Sequence, residues 1–365
     1  MGALLFTGFP GAIGSALLPR VLAERPADEA VCLVQPRWAG LAKRKADELV
    51  VADQRLDGRI RLLEGDITVP GLDLPEPGAL TAEVVEIWHL AAAYDLELDR
   101  ATGMLVNVNG TRHVLELAER CGRLRRLHYM STCYVSGRWP GVAGEGDLVR
   151  GQSFNNHYEE TKFLAEVEVQ VAMAAGLPAT VYRPSVVTGD SASGAAGKFD
   201  GVWFLLRFVE RQGRVAFVPL VGDPALTSMN VVPRDFVTAA VAHLSSHERS
   251  AGRVYQLADP APLSIARLLD EVGRATGRRV VPVRLGRRLA PAVKGAIRRV
   301  PGVGRVMGVP AASIDYLAHP TTYATDNASA DLAGSGIEVP PLPTYLPSLV
   351  AYLRAHPEVS GSAMV

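Results

Sequence analysis

The chain has 365 residues, enough for one large α/β domain or for a domain with a smaller lobe. Lys plus Arg and Asp plus Glu both total 38, so no global charge draws it to nucleic acid or to an anionic membrane. Nearly half of the residues are hydrophobic (48%), as in a protein with a full core, yet no run approaches the ~18 apolar residues of a membrane span.

Short apolar runs at 3–7, 30–35, 59–65, 84–91, 126–132 and 179–185 read as buried parallel strands. Helical patterns lie between them: one from Ala12, then 39–52, 104–120 and 155–176, the last closed by Gly176 and Pro178. Repeated strand–helix–strand units predict a doubly wound, Rossmann-type parallel sheet of the α/β class. After Pro184 the pattern loosens. A small-residue loop at 190–201 leads into an apolar helix at 202–210, and 228–244 reads as a return to the main sheet followed by a helix. A further helix is expected near 263–276. These patterns place a dinucleotide-binding domain at 1–190 and 228–258. A substrate-binding lobe is expected at 191–227 and 259–355, with a flexible tail at 356–365.

The stretch Thr7-Gly8-Phe9-Pro10-Gly11-Ala12-Ile13-Gly14 follows the first strand and opens a helix. Gly8 permits a tight turn, Gly11 lets a pyrophosphate approach the backbone, and Gly14 lets helix and strand pack closely. The second strand ends Leu33-Val34-Gln35, followed by Pro36-Arg37. No carboxylate stands there to repel a ribose 2′-phosphate, and Arg37 can bind one, which points to NADPH. Lys43 and Arg44 read as a solvated helix face. Asp66 ends the third strand, where a carboxylate can accept from an adenine amino group or cap a turn. Leu90, Ala91 and Ala92 end the fourth strand with small residues under the ribose. Asn107 lies inside a helix, where Asn is disfavoured unless its amide has buried partners.

Tyr158 and Lys162 are four apart and share one helix face. An ammonium held near the phenol favours the phenolate and brings its proton exchange nearer neutrality. Thr132, in YMSTCYVSG, offers a second hydroxyl for a carbonyl oxygen. Cys32, Cys121 and Cys133 have no metal-ligand spacing, no metal site is expected, and the three suit a reducing compartment. Cys133 reads as a small buried residue at a strand end. The segment GALLFT is too short for a signal peptide, so a soluble cytoplasmic location is expected.

As an ordered set these motifs resemble those of the extended short-chain dehydrogenase/reductases from residue 3 to about 250. TGFPGAIG is similar to the nucleotide loop, GDIT (Asp66, Ile67) to the adenine contact, and HLAA to the fourth-strand motif. NVNGT, STCYV, YEETK and YRPSVVTGDS resemble the later segments. The resemblance implies that Thr132, Tyr158 and Lys162 are catalytic with Asn107 as supporting amide. It also implies that Gly8 to Gly14, Asp66, Ile67, Leu90, Ala91, Ala92, Tyr158, Lys162, Pro184, Ser185 and Val187 contact the cofactor, beside the Arg37 already read as the contact that selects NADPH. The wording is most similar to fatty acyl-CoA reductases and carrier-protein thioester reductases, with SMNVVPRDFV and residues 319–342 extending the likeness. This branch implies reduction of an acyl-CoA or acyl-carrier thioester to an aldehyde, and on to an alcohol if the cofactor is exchanged. The rivals are an alcohol/ketone oxidoreductase, a sugar-nucleotide epimerase and a degenerate NADP-binding sensor.

Two expectations concern the lobe. Trp203, Phe204 and Phe208 offer either an apolar wall for an acyl group under a closing loop or plain core packing. The segment from Arg284 to Arg305 holds seven cations and no acid (Arg284, Arg287, Arg288, Lys294, Arg298, Arg299, Arg305). It is either a solvated surface or a landing site for coenzyme A, a carrier protein or a membrane.

Overall fold

The computed structural model describes residues 2–221, 223–285 and 316–359. The first half runs β1 (Ala3–Thr7), α1 (Ala12–Glu24), β2 (Glu29–Val34), α2 (Ala39–Ala52), β3 (Ile60–Glu64), α3 (Pro77–Glu83) and β4 (Val84–His89). A short helix α4 (Arg100–Gly103) passes through a π-type turn at Met104–Asn109 into α5 (Gly110–Arg120). Then come β5 (Arg126–Met130), β6 (Gly141–Ala143), α6 (His157–Ala174), β7 (Ala179–Pro184) and β8 (Val186–Val187). The later elements are α7 (Val202–Glu210), β9 (Val215–Val221), β10 (Val231–Val232), α8 (Arg234–Ser245), β11 (Val254–Leu257), α9 (Ile265–Thr276) and β12 (Arg279–Leu285). After the undescribed stretch lie β13 (Thr321–Tyr323), α10 (Asp326–Leu332) and α11 (Leu342–Ala355).

Seven parallel strands form the main sheet in the order β11-β7-β5-β4-β1-β2-β3. Beside β1 the order reverses, so the carboxyl ends of β1 and β4 open into the crevice where such sheets hold ligands. Strand β1 is buried throughout, as a central parallel strand must be. Its alternate side chains feed two cores: Leu4 and Phe6 pack toward α1 and α8, Ala3 and Leu5 toward α5 and α6. On the first face Phe6, Trp88, His128, Tyr182 and Tyr255 stack in sequence across five strands, with centroids 5.5, 3.9, 6.1 and 6.0 Å apart. This ladder locks strand register at the level just below the crevice.

Helix α6 begins two residues later than the periodicity suggests. Asn156 caps it by accepting from the Glu159 N–H at 3.0 Å, and the Glu159 carboxylate reaches back to the Asn155 N–H at 2.8 Å. This reciprocal cap fixes the first turn, and with it Tyr158.

The return to the main sheet comes later than 228–244. Val231 and Val232 pair with β8 instead, and β11 supplies the edge strand. Two more parallel pairs, β9 with β12 and β6 with β13, join segments far apart in sequence. A second core is built from α7, β9, α9 and α11 around Trp203, Leu206, Leu268, Leu269 and Leu349, and Tyr134, Val186 and Val231 join it. Helix α10 is an exception within 259–355: Ala328 and Leu332 join the main core, and Asp331 accepts from Tyr255 Oη at 2.7 Å. Of the tail expected after His356, the Pro357 and Val359 carbonyls accept from Arg207, and 360–365 lies outside the described residues. No helix among the described residues is long and apolar enough to cross a membrane.

Candidate active site

The glycine loop forms a cradle from backbone alone. Gly8 has φ of 93°, and a Cβ there would meet Ala91 N and Leu90 C at 2.8 Å. A Cβ on Gly11 or Gly14 would lie 2.7 Å from the same atom, the Gly8 carbonyl oxygen. Both glycines are therefore required by the loop's own fold, and Gly11 N–H closes it on Gly8 O at 2.9 Å. Phe9, Pro10, Ala12 and Ile13 complete the loop and the first turn of α1, whose free N–H groups suit a pyrophosphate. Arg37 sits in the short turn after β2, held by Gln35 Oε1, which accepts from Nε at 2.9 Å and Nη2 at 2.7 Å. Gln35 also donates to Asp66 Oδ2 at 2.8 Å, while Asp66 Oδ1 accepts from Thr68 N and Oγ1. Asp66 is thus a turn-forming carboxylate, and Gln35, which no sequence motif singles out, is the strut between it and Arg37. Ile67 packs on Gly110 and its carbonyl contacts His113 Nδ1 at 2.8 Å.

A hydrogen-bonded chain fixes the crevice floor. Ala91 N–H donates to Thr7 Oγ1 (3.2 Å), which lies 2.7 Å from His89 Nδ1. His89 Nε2 is 3.0 Å from Thr111 Oγ1, which donates to the Asn107 carbonyl at 2.6 Å. Because Thr111 spends its proton on that carbonyl, it accepts from His89, so the imidazole carries its proton on Nε2 and accepts from Thr7 at Nδ1. Burial holds this ring neutral, its pKa pushed down to about 3. The chain runs one way from β4 to the π-type turn, the kind of helical irregularity that recurs at functional sites. Asn107 sits in that turn. Its Oδ1 accepts from Ala93 N at 2.8 Å, and its Nδ2 donates to Ala93 O (3.2 Å) and Thr161 Oγ1 (3.0 Å). It clamps the loop after Leu90-Ala91-Ala92 to α6 and acts through its neighbours.

Thr132 lies two residues beyond the end of β5 and caps the short turn that follows. Its Oγ1 donates to Pro184 O at 3.4 Å, accepts from Tyr134 N at 3.3 Å, and faces the Tyr158 phenol. Tyr158 is half-buried, with the Tyr94 ring edge-on at 4.7 Å. Lys162 is buried, its Nζ donating to Tyr129 Oη at 2.9 Å and Met130 O at 2.8 Å. These contacts correct the expectation that Lys162 depresses the Tyr158 pKa. Burial, reinforced by the negative charge of Asp200 and Glu159, raises the phenol above its ordinary value against the opposing pull of Thr132. Burial pushes the Lys162 ammonium down to about 7, with Glu166 opposing. At neutral pH Tyr158 is a proton-bearing donor. Ser185, at the end of β7, has a buried Oγ with no hydrogen-bond partner among the described residues, and Val187 is held against β10. The glycine cradle, the helix N-terminus, the exposed Arg37 and this orphan hydroxyl fit a nicotinamide dinucleotide.

The opposite wall was not legible in the sequence. Lys198 donates to Tyr94 O at 2.8 Å, lies 4.5 Å from the Tyr94 ring centroid and pairs with Asp200 at 3.8 Å. Burial raises the Asp200 carboxyl to about 6. Gly197 lies against Ala12, so the 190–201 loop bridges the cofactor loop and the segment over Tyr158. Trp203 and Phe204 are core residues, Trp203 stacked on Phe199 at 4.5 Å, and only Phe208 is half-buried. The wall role expected of Trp203 and Phe204 is thereby replaced by packing. All three cysteines are buried, and Cys133 Sγ donates to Arg183 O at 2.9 Å. Of the basic segment, Arg284 is exposed and faces Asp223 at 3.5 Å, and Arg287 to Arg305 lie outside the described residues.

Residues 6–241 match the NAD-binding family described as male sterility protein. The chain belongs to this family. It is an NAD(P)-dependent oxidoreductase of the extended short-chain dehydrogenase/reductase type. It is 30% identical over 269 residues to one component of the linear gramicidin synthase of Brevibacillus parabrevis, covering 71% of this chain and 5% of that component. The terminal R domain from the myxalamid PKS-NRPS biosynthetic pathway superposes with a TM-score of 0.82 at 26% identity, covering 98% of this chain and 91% of that one. A thiolation-reductase di-domain from an archaeal non-ribosomal peptide synthetase shares the fold, with a TM-score of 0.74 at 19% identity, covering 98% and 76%. The chain spans under a third of the length of the curated relatives it matches.

Proposed function

We propose that the protein is an NADPH-dependent reductase that converts an acyl thioester, borne on a carrier protein or coenzyme A, to the aldehyde. The observation that carries this reading is the meeting of Thr132 and Tyr158 at the carboxyl end of β5, with Lys162 behind them and the glycine cradle beside them. The likeness to the gramicidin synthase and to the terminal R domain supports carrier delivery over coenzyme A.

When bound, the cofactor would supply a hydride to the thioester carbonyl carbon. Tyr158 presents its hydroxyl proton to the carbonyl oxygen, and Thr132 would add a second donor by giving up its 3.4 Å bond to Pro184 O, so the two stabilise the negative charge that grows there, the largest expected electrostatic contribution. Tyr158 gives its proton to that oxygen, and the resulting hemithioacetal expels the thiol and leaves the aldehyde. Lys162 as an ammonium would hold the nicotinamide ribose. Asn107 keeps the loop at Ala93 and α6 in register. Arg37 would bind the 2′-phosphate; Gly8 to Gly14 the pyrophosphate; Asp66 and Ile67 the adenine; Leu90, Ala91 and Ala92 the ribose; and Pro184, Ser185 and Val187 the nicotinamide.

The test is NADPH consumption with an acyl-phosphopantetheinyl carrier, the same acyl-CoA and a simple ketone, with free thiol measured alongside. The expected result is equal consumption of NADPH and release of thiol, fastest on the carrier. Consumption with the ketone alone would replace this reading by alcohol/ketone oxidoreduction.

A further inference from the structure

Behind Lys162 lies an ion pair that the proposed chemistry does not use directly. Glu166 and Arg183 are 0% and 2% exposed. Arg183 Nε donates to both Glu166 oxygens (3.0 and 3.1 Å) and Nη2 donates to Oε1 at 2.6 Å. Glu166 also accepts from Ser131 Oγ at 2.5 Å and Gln170 Nε2 at 2.8 Å. It follows Lys162 by four residues, so the two side chains share the buried face of α6, whereas Arg183 reaches the carboxylate from β7.

The five consecutive residues from Tyr129 in β5 to Cys133 just beyond it are all tied to these two elements. Tyr129 Oη and Met130 O accept from Lys162, Ser131 donates to Glu166, Thr132 to Pro184 O, and Cys133 to Arg183 O. We propose that Glu166 is a positioning residue: it keeps Lys162 in its ammonium form and aimed at the end of β5, with Arg183 and Ser131 holding the carboxylate in place. The proposal rests on Lys162 serving as an ammonium in the reductase assigned above.

The surroundings of Lys162 make Glu166 the charge that matters. It is faced by Tyr129 from β5, His89 from β4, and Tyr158 and Glu166 from its own helix. Burial keeps both phenols protonated and the imidazole neutral near pH 7. Glu166 is then the neighbour that offsets the desolvation of the ammonium, and Arg183 is the cation that limits how much of that charge Lys162 feels.

Lysine occurs at positions 43, 45, 162, 198 and 294 only, so lysine Cε-labelled protein gives five NMR signals, and Lys162→Arg assigns the one wanted. In the unmodified chain Lys162 is expected to titrate near pH 7. Glu166→Gln should lower its proton affinity about tenfold or more, and Arg183→Gln should raise it, while Ser131→Ala, which removes a bond but no charge, leaves it within about twofold. The high-pH limb of kcat/KM should move with the NMR midpoint in each variant. An unchanged midpoint in folded Glu166→Gln, or shifts of one sign in both charge variants, would overturn the proposal. If Glu166→Gln does not fold, Arg183→Gln decides: an upward shift upholds the proposal and none refutes it. The NMR midpoint needs neither cofactor nor acyl substrate, so a chain inactive on thioesters leaves this test standing.

Discussion

One wall of the crevice, made by the ends of β1, β2 and β4, is held by backbone and by uncharged hydrogen bonds between neighbouring strand ends. The opposite wall, where Tyr94, Lys198 and Asp200 meet over Tyr158, is assembled from loops about a hundred residues apart and held by side-chain charge. The first wall has little to adjust. Its glycines cannot accept a Cβ, and its His89 relay has one consistent proton arrangement. The second wall carries two titratable groups that burial moves toward neutrality, Asp200 upward and Lys198 downward. The wall proposed to hold the cofactor is thus built into the fold, while the wall proposed to face the substrate carries groups that respond to their medium.

The lobe beneath the second wall offers the largest test of that division. Trp203 is 0% exposed within the lobe core, so Trp203→Ala should cost about 3–5 kcal/mol of stability in denaturant unfolding. KM for the thioester should hardly change at temperatures where the variant is folded. A large KM effect with little loss of stability would make this residue part of the acyl wall after all.

Tyr158→Phe separates the proposed proton donor from both walls. Turnover should fall on the order of 10²-fold, about 3 kcal/mol, with NADPH affinity intact by fluorescence titration. Retained turnover would remove Tyr158 as the proton donor. On the first wall, Arg37→Ala should weaken NADPH by about 1.5–3 kcal/mol and leave NADH nearly unaffected. Equal losses would show that Arg37 does not read a 2′-phosphate.

The smallest expected effect belongs to Asp200. Its folded pKa, about 6, lies above the ordinary carboxyl value, so its protonated form suits the fold. Stability linked to this group is fully present below about pH 4 and is lost as pH rises through about 6. Asp200→Asn should therefore stabilise the protein by about 1–2 kcal/mol at pH 8 and by almost nothing at pH 4. A gain independent of pH, read from thermal melts, would mean that burial of charge is not what strains this wall.

The same division decides what the sequence made legible. Thr7-Gly8-Phe9-Pro10-Gly11, Arg37 after β2, and Tyr158 with Lys162 on one helix face are local signals, and strand–helix alternation was enough to give the parallel main sheet except for its edge strand β11. The direction of the Tyr158 and Lys162 shifts was not legible, because burial outweighs the pairing that their spacing suggests. Gln35 and the Thr7–His89–Thr111 chain were missed because hydrogen-bond partners across a sheet leave no periodic trace. The pairs β9 with β12 and β6 with β13 were hidden for another reason: each joins segments more than sixty residues apart, and two-stranded pairing has no pattern of its own. Trp203 and Phe204 show the limit of composition, since an apolar helix fits a core and a substrate wall equally well.

In the proposed reaction the hydride goes to a thioester carbonyl whose oxygen faces Tyr158 and Thr132. Single-turnover reaction of a carrier-bound acyl thioester with NADPH carrying deuterium at the transferable C4 position tests it directly, followed by mass spectrometry and thiol titration. The account predicts one deuterium at C1 of the released aldehyde for every thiol freed. Thiol released without deuterium, or deuterium incorporated into a product whose thioester is intact, would contradict it.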